Sequence, residues 1–239
     1  MTSRVALIVV VFLSLAIFGS DAHREHPDQC TGDALVDSWE KVRQLPARSV
    51  YGRSYSSEKK VALTFDDGPF EKHTEQTLDI LGQHQIKATF FLLGVNMEKH
   101  PEIVKRMVHE GHAVGNHSYN HADFRLLTKE SAYTDQIEKT QEIFHQLLGN
   151  NPSSLRPPYG AITCDQAIYF YHKGLKTILW SISTYDWDPQ RNSVESILTH
   201  IAQKEHAGAI LLLHDIPTND VFLTGRNPML QALPDIIKS

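Results

Sequence analysis

Residues 60–69 have the sequence KVALTFDDGP, in which a short apolar run ends in two aspartates, a glycine and a proline. The run Val61–Phe65 contains residue types that favour strands, and the Gly-Pro pair beyond it is a turn signal. The sequence therefore predicts a buried strand that carries Asp66 and Asp67 at its carboxyl end. This strand and turn are the first of a series that determines the expected fold.

Five more short apolar runs follow along the chain. They are Ala88–Leu93, Ala113–Gly115, Ser154–Arg156, Thr177–Ile182 and Ala209–Leu213. Segments with helical periodicity separate them, with apolar faces formed by Ile103, Val104, Met107 and Val108, by Ile137, Phe144 and Leu148, and by Val194, Ile197, Leu198 and Ile201. Strands that alternate with helices predict right-handed βα units, and hence an α/β fold with a parallel sheet or barrel.

The composition is that of a globular protein and excludes several classes. The chain has 239 residues, of which 41% are hydrophobic and 21% charged, so neither a disordered nor a fibrous protein is expected. The net charge of −5 provides no basic footprint for nucleic acid. Histidine, the commonest metal ligand, is abundant with 14 residues, although most of these are expected to be scattered over the surface.

The N-terminal segment Met1–Ala22 predicts a secretory signal peptide. It has one early basic residue, Arg4, and then a 14-residue apolar run, Val5–Phe18, which is short for a membrane span. Small residues near Ala22 suit a cleavage site, and an uncleaved anchor is the alternative. We therefore expect a secreted or periplasmic protein that is not inserted in the membrane after cleavage. Residues 23–58 form a polar N-terminal arm, and residues 59–239 form one domain.

The two cysteines, Cys30 and Cys164, leave two alternatives open. An oxidising compartment permits a disulfide between them, whereas two unpaired thiols are equally compatible with the sequence.

Polar side chains follow the predicted strands directly. They are Asp66 and Asp67, then Asn116 and His117, then Arg156 and Tyr159, then Tyr185, Asp186 and Trp187, and finally His214 and Asp215. In a parallel α/β barrel the active site lies at the carboxyl ends of the strands. We therefore expect these side chains to converge on one site.

The aspartate pair and the histidine pair suggest metal-assisted chemistry. One of Asp66 and Asp67 can bind a metal while the other acts as a base. The alternative is an ordinary Asp-rich turn, since Asp and Gly-Pro are common in turns. His117 and His121 are four residues apart and can hold one ion on a helical turn. With a carboxylate they form a two-histidine, one-carboxylate set with open coordination positions. Two solvated histidines are the alternative.

Three later features have one functional and one structural interpretation each. Arg156 precedes two prolines and can hold a carboxylate in place, or it can form a surface ion pair. The Asp186-Trp187 pair can supply an orienting carboxylate and an aromatic platform for a sugar, or a loop with a partly buried tryptophan. His214 follows an apolar run and can be a general acid or a core histidine.

Together these motifs resemble one family. They are Thr64-Phe-Asp-Asp-Gly-Pro69, His117-Ser-Tyr-Asn-His121, Arg156-Pro-Pro-Tyr159, Asp186-Trp187 and Leu211-Leu-Leu-His214, in family order over about 150 residues. The chain resembles the polysaccharide deacetylases of the NodB-homology class, which are metal-dependent carbohydrate esterases. The resemblance implies a single distorted (β/α) barrel with fewer than eight regular strands.

The resemblance also implies a role for each site residue. The ligands of a divalent metal, most often Zn²⁺ in this family, would be Asp67, His117 and His121. The catalytic residues would be the base Asp66 held by Arg156, and the acid His214 oriented by Asp186. The substrate-binding residues would be Tyr159, through its backbone N–H, and Trp187 and Leu212, which line the pocket for the acetyl methyl group.

The implied function is removal of N-acetyl groups from N-acetylglucosamine units of an extracytoplasmic polysaccharide. Peptidoglycan, chitin and poly-N-acetylglucosamine are the candidate substrates. Two alternatives remain: an O-acetyl esterase acting on xylan-like polymers, and a catalytically inactive sugar-binding module. Neither nucleic acid nor a membrane is an expected partner.

The sequence departs from the family pattern at two places. Ser183 stands where the family often has Asp or Asn, which puts the network around His214 in doubt. The chain ends at Ser239, after a predicted helix over Leu230–Ile237, where family members usually add a strand. A missing strand would expose an apolar edge of the barrel, and we expect the arm, residues 23–58, to cover it.

Overall fold

The structure, a computed structural model, describes residues 49–54, 60–216 and 227–239. Its centre is one sheet of eight strands. These are β1 (Val50–Tyr51), β2 (Ala62–Asp66), β3 (Thr89–Leu92), β4 (Ala113–Asn116), β5 (Ser154–Leu155), β6 (Lys176–Ile178), β7 (Ile182–Ser183) and β8 (Ile210–His214). The strand order is β1-β6-β5-β4-β3-β2-β8-β7, and every neighbouring pair is parallel.

Helices connect the strands. They are α1 (His73–Gln83), α2 (Gly94–Lys99), α3 (Pro101–His109), α4 (Lys129–Ser131), α5 (Lys139–Leu148), α6 (Cys164–His172), α7 (Val194–Lys204) and α8 (Pro228–Lys238). A π-helix, Ala132–Glu138, joins α4 to α5, and short 3₁₀ turns lie at Phe124–Leu126 and Pro158–Gly160. In the described part of the chain no helix is both long and apolar enough to span a bilayer.

The predicted α/β fold is confirmed, as is the distorted barrel. Eight strands take part, but β1, β5 and β7 have only two residues each, so fewer than eight are regular. The predicted strand Thr177–Ile182 is two strands instead. Its first half pairs with β1 and β5, and its second half pairs with β8 on the other side of the sheet. The chain crosses between them at residues 179–181, where Leu179 N–H donates to Tyr51 and Ser181 N–H donates to Ile210.

A second crossing lies in residues 49–54, within the segment predicted as the arm. Val50 and Tyr51 pair with β6, and Arg53 forms an antiparallel bridge to Ala209, just before β8. The amide of Ser54 donates to the carbonyl of Gly208 at 2.8 Å. This segment therefore connects the two sides of the sheet, from β6 to the start of β8. The predicted signal peptide and the rest of the predicted arm lie outside the described residues. The described part of the predicted domain begins at Lys60.

The core lies between the outer face of the sheet and the helices. Phe65 of β2 and Phe90 of β3 stack with their ring centroids 5.1 Å apart, and buried side chains of α1, α3, α7 and α8 cover them. The predicted face of α3 is correct for Ile103, Val104 and Met107, but Val108 is 41% exposed because it lies at the border of the buried stripe. Inside the barrel Tyr51, Phe91, Ile178 and Ile210 form a small separate cluster.

The structure describes one of the two cysteines. Cys164, buried at the start of α6, is disulfide-bonded, and the chain's other cysteine, Cys30, lies outside the described residues.

The contact of residue 54 with Gly208 leads to a stability prediction. Gly208 has a φ of +79°, and a β-carbon there would overlap the carbonyl of Ser54, a backbone group that has little freedom to move. Gly149 at the end of α5 has a similar φ of +72°, with open space around the position of a β-carbon. We expect Gly149→Ala to lower the free energy of unfolding by about 1 kcal/mol, the cost of the left-handed conformation. Gly208→Ala should cost about 3 kcal/mol or more.

Urea denaturation of the two variants beside the wild type measures the difference. Equal losses would contradict the packing of the 49–54 segment against the start of β8.

Candidate active site

The carboxyl ends of the strands meet as predicted. Asp66 at the end of β2 is in register with His214 at the end of β8, and Leu92 of β3 is in register with Asn116 of β4. Arg156 follows β5 directly, and its amide donates to the carbonyl of Asn116. The polar residues that follow different strands in sequence thus belong to one edge of the sheet.

Asp67, His117 and His121 form a compact cluster suited to a metal ion. The Nε2 atoms of His117 and His121 lie 3.3 and 3.4 Å from Asp67 Oδ1, and the three ligand atoms are all within 4.8 Å of one another. Asp67 Oδ1 is buried and has no hydrogen-bond partner in the described part of the chain. A buried carboxylate oxygen without a partner is costly, and a cation between it and the two imidazoles would satisfy it. The donor set therefore fits a divalent metal.

The protonation of His117 also suits a metal ligand. Its Nδ1 lies 2.7 Å from the carbonyl oxygen of Arg156, which only accepts hydrogen bonds, so Nδ1 carries the proton. The lone pair of Nε2 then faces Asp67. Burial opposes ionisation of Asp67, but the nearby imidazoles of His117, His214 and His121 hold the pKa of Asp67 well below its ordinary value. Asp67 therefore presents a carboxylate at neutral pH.

Arg156 is fully buried and holds Asp66, the neighbouring carboxylate. Its Nη1 donates to Asp66 Oδ1 at 2.7 Å and to Thr64 Oγ1 at 2.8 Å. Its Nε and Nη2 donate to the carbonyls of Ile178 and Leu179, both at 3.0 Å. The structure therefore excludes the surface ion pair considered for Arg156. The other carboxylate oxygen of Asp66 lies 3.7 Å from Nε2 of His117, at the border of the candidate metal site.

His214 and Asp186, of which Asp186 is buried and His214 only partly exposed, form the second pair. His214 Nδ1 lies 2.9 Å from Asp186 Oδ1, and the His214 amide donates to Asp186 Oδ2 at 2.7 Å. Burial disfavours the charged ring, but the Asp186 carboxylate, with smaller contributions from Asp67 and Asp66, raises the pKa of His214 to about 9. The imidazole is therefore protonated at neutral pH, and Nε2 is free to donate a proton.

Thr184 supports this pair and was missed in the sequence. Its hydroxyl lies 3.0 Å from Asp186 Oδ1 and 2.9 Å from the carbonyl of Leu212. Asp186 thus has partners from His214 and Thr184, although Ser183 replaces the family's Asp or Asn. A threonine at a strand end gives no signal of its own, because its partner on β8 is 28 residues away.

The three predicted substrate-binding residues lie around this edge. Tyr159 is 62% exposed, and its ring lies edge-on to His121 with centroids 4.6 Å apart. Trp187, which directly follows Asp186, is 49% exposed. Leu212 is buried two residues before His214 on β8, so the two side chains belong to the same face of that strand.

Asp215 is a buried carboxyl group behind the Asp66-Asp67-Gly68 turn. Neither of its carboxyl oxygens has a hydrogen-bond partner among the residues that the structure describes, and burial raises its pKa to about 7. A β-carbon on Gly68 would lie 2.6 Å from Asp215 Oδ1. A side chain at position 68 would therefore have to displace the Asp215 carboxyl group, because the backbone of the turn lies directly against it.

Comparison with known proteins agrees with this geometry. A sequence model of the polysaccharide deacetylase family matches residues 53–175. A peptidoglycan-N-acetylglucosamine deacetylase of Bacillus cereus is 37% identical over 252 residues, which cover 98% of this chain and 88% of the relative. A chitooligosaccharide deacetylase of Rhizobium leguminosarum bv. trifolii is 37% identical, over 82% of this chain and 93% of the relative.

Solved structures show the same fold. The crystal structure of the Bc1960 peptidoglycan N-acetylglucosamine deacetylase superposes with a TM-score of 0.72 and 39% identity, covering 79% of this chain and 84% of that one. A family 4 carbohydrate esterase from Streptomyces lividans, in complex with acetate, superposes with a TM-score of 0.64 and 30% identity, covering 74% of this chain and 85% of that one.

Some relatives are longer than the matched region. A second Bacillus cereus peptidoglycan-N-acetylglucosamine deacetylase is 43% identical over 66% of this chain, but the alignment spans only 56% of its length. For the Listeria monocytogenes enzyme of the same name the alignment spans 33% of the relative. The family model nevertheless matches about half of this chain and includes the first three motifs. The chain therefore belongs to the polysaccharide deacetylase family.

Proposed function

We propose that this protein is a metal-dependent hydrolase that removes N-acetyl groups from N-acetylglucosamine units of an extracytoplasmic polysaccharide. One observation carries the proposal: the buried, unpartnered Asp67 Oδ1 lies between His117 and His121, with Asp66 beside the cluster. The names of the relatives, which are peptidoglycan and chitooligosaccharide deacetylases, support the substrate class.

Asp67, His117 and His121 would hold the metal, which we propose is Zn²⁺. Two imidazole nitrogens and one carboxylate oxygen are a set that zinc accepts, and three protein ligands leave positions open for water and substrate. When bound, such an ion lowers the pKa of a water molecule and polarises the acetyl carbonyl. The hydrogen bond from His117 Nδ1 to the carbonyl of Arg156 fixes the orientation of that ligand.

Asp66 would act as the general base. Arg156 and its hydrogen bond to Oδ1 hold the carboxylate in one orientation, so that Oδ2 faces the cluster. From there Asp66 can accept a proton from the water that attacks the acetyl carbon. The backbone N–H of Tyr159 would stabilise the oxyanion that develops, while Leu212 and Trp187 would enclose the methyl group.

His214 would act as the general acid. The departing amine needs a proton, and the imidazolium of His214 can supply one from Nε2 while Asp186 holds Nδ1. The C–N bond then breaks, and the products are acetate and the free amino sugar. Two carboxylate–cation pairs, Asp66 with Arg156 and Asp186 with His214, thus supply the base and the acid.

Secretion is part of the proposal. The sequence of Met1–Ala22 supports a signal peptide, and a polymer of the cell wall is encountered outside the cytoplasm. The division into a signal peptide, an arm (residues 23–58) and a catalytic domain (residues 59–239) belongs to the same proposal.

The first test is acetate release from N-acetylglucosamine oligomers by the purified protein. We expect activity that a chelator abolishes, that added Zn²⁺ restores, and that Asp66→Asn lowers by about 10²-fold or more because the base is lost. Asp79→Asn, in an exposed ion pair with Arg106, is the matched control and should keep full activity.

Acetylated xylan assayed in parallel separates an O-acetyl esterase from an N-deacetylase. Activity that survives both Asp66→Asn and the chelator would refute the mechanism, and no release from either substrate would favour a sugar-binding module.

The second test is the pH dependence of Asp186→Asn. In the wild type the raised pKa keeps His214 protonated up to about pH 9, so activity that needs this proton should be lost only above that pH. Without the carboxylate, burial dominates and the pKa of His214 falls, so the alkaline limb of kcat should move down by at least about one pH unit. Rate profiles from pH 5 to 10, with a proton NMR titration of the imidazole, give both values. An unchanged alkaline limb would show that His214 is not the acid.

A further inference from the structure

The loop that joins His117 to His121 has neither helical nor strand structure. Two of its residues, Ser118 with a φ of +76° and His121 with a φ of +62°, adopt the left-handed conformation that costs an ordinary residue about 1–2 kcal/mol. A loop of this kind keeps its shape only when surrounding groups hold it. The source of that support is visible in its hydrogen bonds.

Side chains accept the hydrogen bonds of all four backbone amides from residue 118 to residue 121. Ser118 N–H donates to Asn116 Oδ1 at 2.8 Å, and His121 N–H donates to Ser118 Oγ at 3.0 Å. The two central amides, of Tyr119 and Asn120, both donate to Gln136 Oε1, at 3.2 and 3.3 Å. One side-chain oxygen from outside the loop therefore supports its middle.

The opposite side of the loop is bound to a helix end. The amides of Gly94 and Val95, at the start of α2, donate to the carbonyls of Ser118 and Tyr119 at 3.1 and 2.9 Å. These contacts bind the carbonyl oxygens of the loop, whereas Gln136 binds its amides. The loop is thus held between α2 and the element that carries Gln136.

Gln136 lies in the π-helix, Ala132–Glu138, and is buried. The same helix makes a second contact, because Asn116 Nδ2 donates to the carbonyl of Ile137 at 3.0 Å. The backbone carbonyl of Gln136 accepts from Thr140 Oγ1 at 2.8 Å. Single-turn π-helices are rare and are often found at functional sites. Here the π-helix directs one side chain and one carbonyl toward the histidine loop.

We propose that Gln136 is a positioning residue for the metal centre: its side-chain oxygen holds the 118–121 loop so that His117 and His121 face Asp67. The inference rests on the metal site proposed above. Removal of this oxygen leaves two amides without their acceptor, and the loop then loses the support of its strained conformation. A side chain that only orients metal ligands typically changes metal affinity by 10–100-fold when it is replaced.

The test compares three variants of the full chain. Gln136→Met removes the acceptor at similar length, and Gln136→Glu keeps an acceptor oxygen in place. Gln141→Met is the matched control, because Gln141 follows in α5 and its amide donates to the carbonyl of Pro152 instead. The first readout is Zn²⁺ affinity, measured by competition with a chromophoric chelator. The second is hydrogen exchange of the Tyr119 and Asn120 amides in metal-free protein.

We expect Gln136→Met to weaken Zn²⁺ binding by about 10–100-fold and to speed exchange of the two amides. Gln136→Glu should restore the affinity to within about threefold of the wild type, and Gln141→Met should match the wild type in both readouts. The proposal is overturned if Gln136→Met binds Zn²⁺ like the wild type. It is also overturned if Gln136→Glu is as weak as Gln136→Met, or if Gln141→Met loses as much affinity.

Failure of the metal site gives a different result. If the wild type binds no Zn²⁺, or binds it equally well as His121→Ala, the metal assignment itself is wrong. Exchange of the Tyr119 and Asn120 amides then still decides whether Gln136 holds the loop, since that readout needs no metal.

Discussion

The buried guanidinium of Arg156 is the interaction on which the rest of the site depends. It donates to Thr64 and Asp66 of β2 and to the carbonyls of Ile178 and Leu179 at the end of β6. Its Cζ atom lies over the Phe91 ring, 4.2 Å from the ring centroid. A buried guanidinium without compensating partners would cost several kcal/mol. Arg156 therefore depends on the Asp66 carboxylate and on the oxygen atoms that accept its hydrogen bonds. A lysine cannot replace it, because one ammonium lacks the planar fork of donors that reaches both strands.

The same residue connects Asp66, the proposed base, to the candidate metal ligands. Its side chain orients Asp66, while its own carbonyl accepts a hydrogen bond from Nδ1 of His117 and so determines which nitrogen of that ring faces Asp67. Across the site, Asp186 acts on His214 in a comparable way. The environments hold the pKa of Asp67 below its ordinary value and raise that of His214 to about 9, so at neutral pH Asp67 is an anion and His214 is a cation.

Much of the site could be predicted because of one property of parallel sheets. Residues that end neighbouring strands lie at the same edge, so a list of the polar residues after each apolar run already contained Asp66, His117, Arg156 and His214. Strands of two residues have no periodicity to detect, so the sequence places β1 in the arm and predicts a single strand over Thr177–Ile182. The supporting residues were also missed. The Thr64 hydroxyl donates to the carbonyl of Leu211, a partner 147 positions away in the sequence. Gln136 lies in a π-helix, and nothing in the sequence of that segment distinguishes it from an ordinary helix.

The backbone explains how adjacent residues come to serve one site. Consecutive side chains of a strand point to opposite faces, so Asp66 and Asp67 could not both face one cavity if β2 continued. Asp67 instead has a φ of +74°, which ends the alternation directly after the strand. The other motifs behave alike: Ser118, His121, Tyr159 and Tyr185 also have positive φ values. In each case a residue other than glycine takes a costly conformation where the chain leaves the sheet. The strands therefore determine where the motifs meet, and the strained residues after them determine which way the functional side chains face.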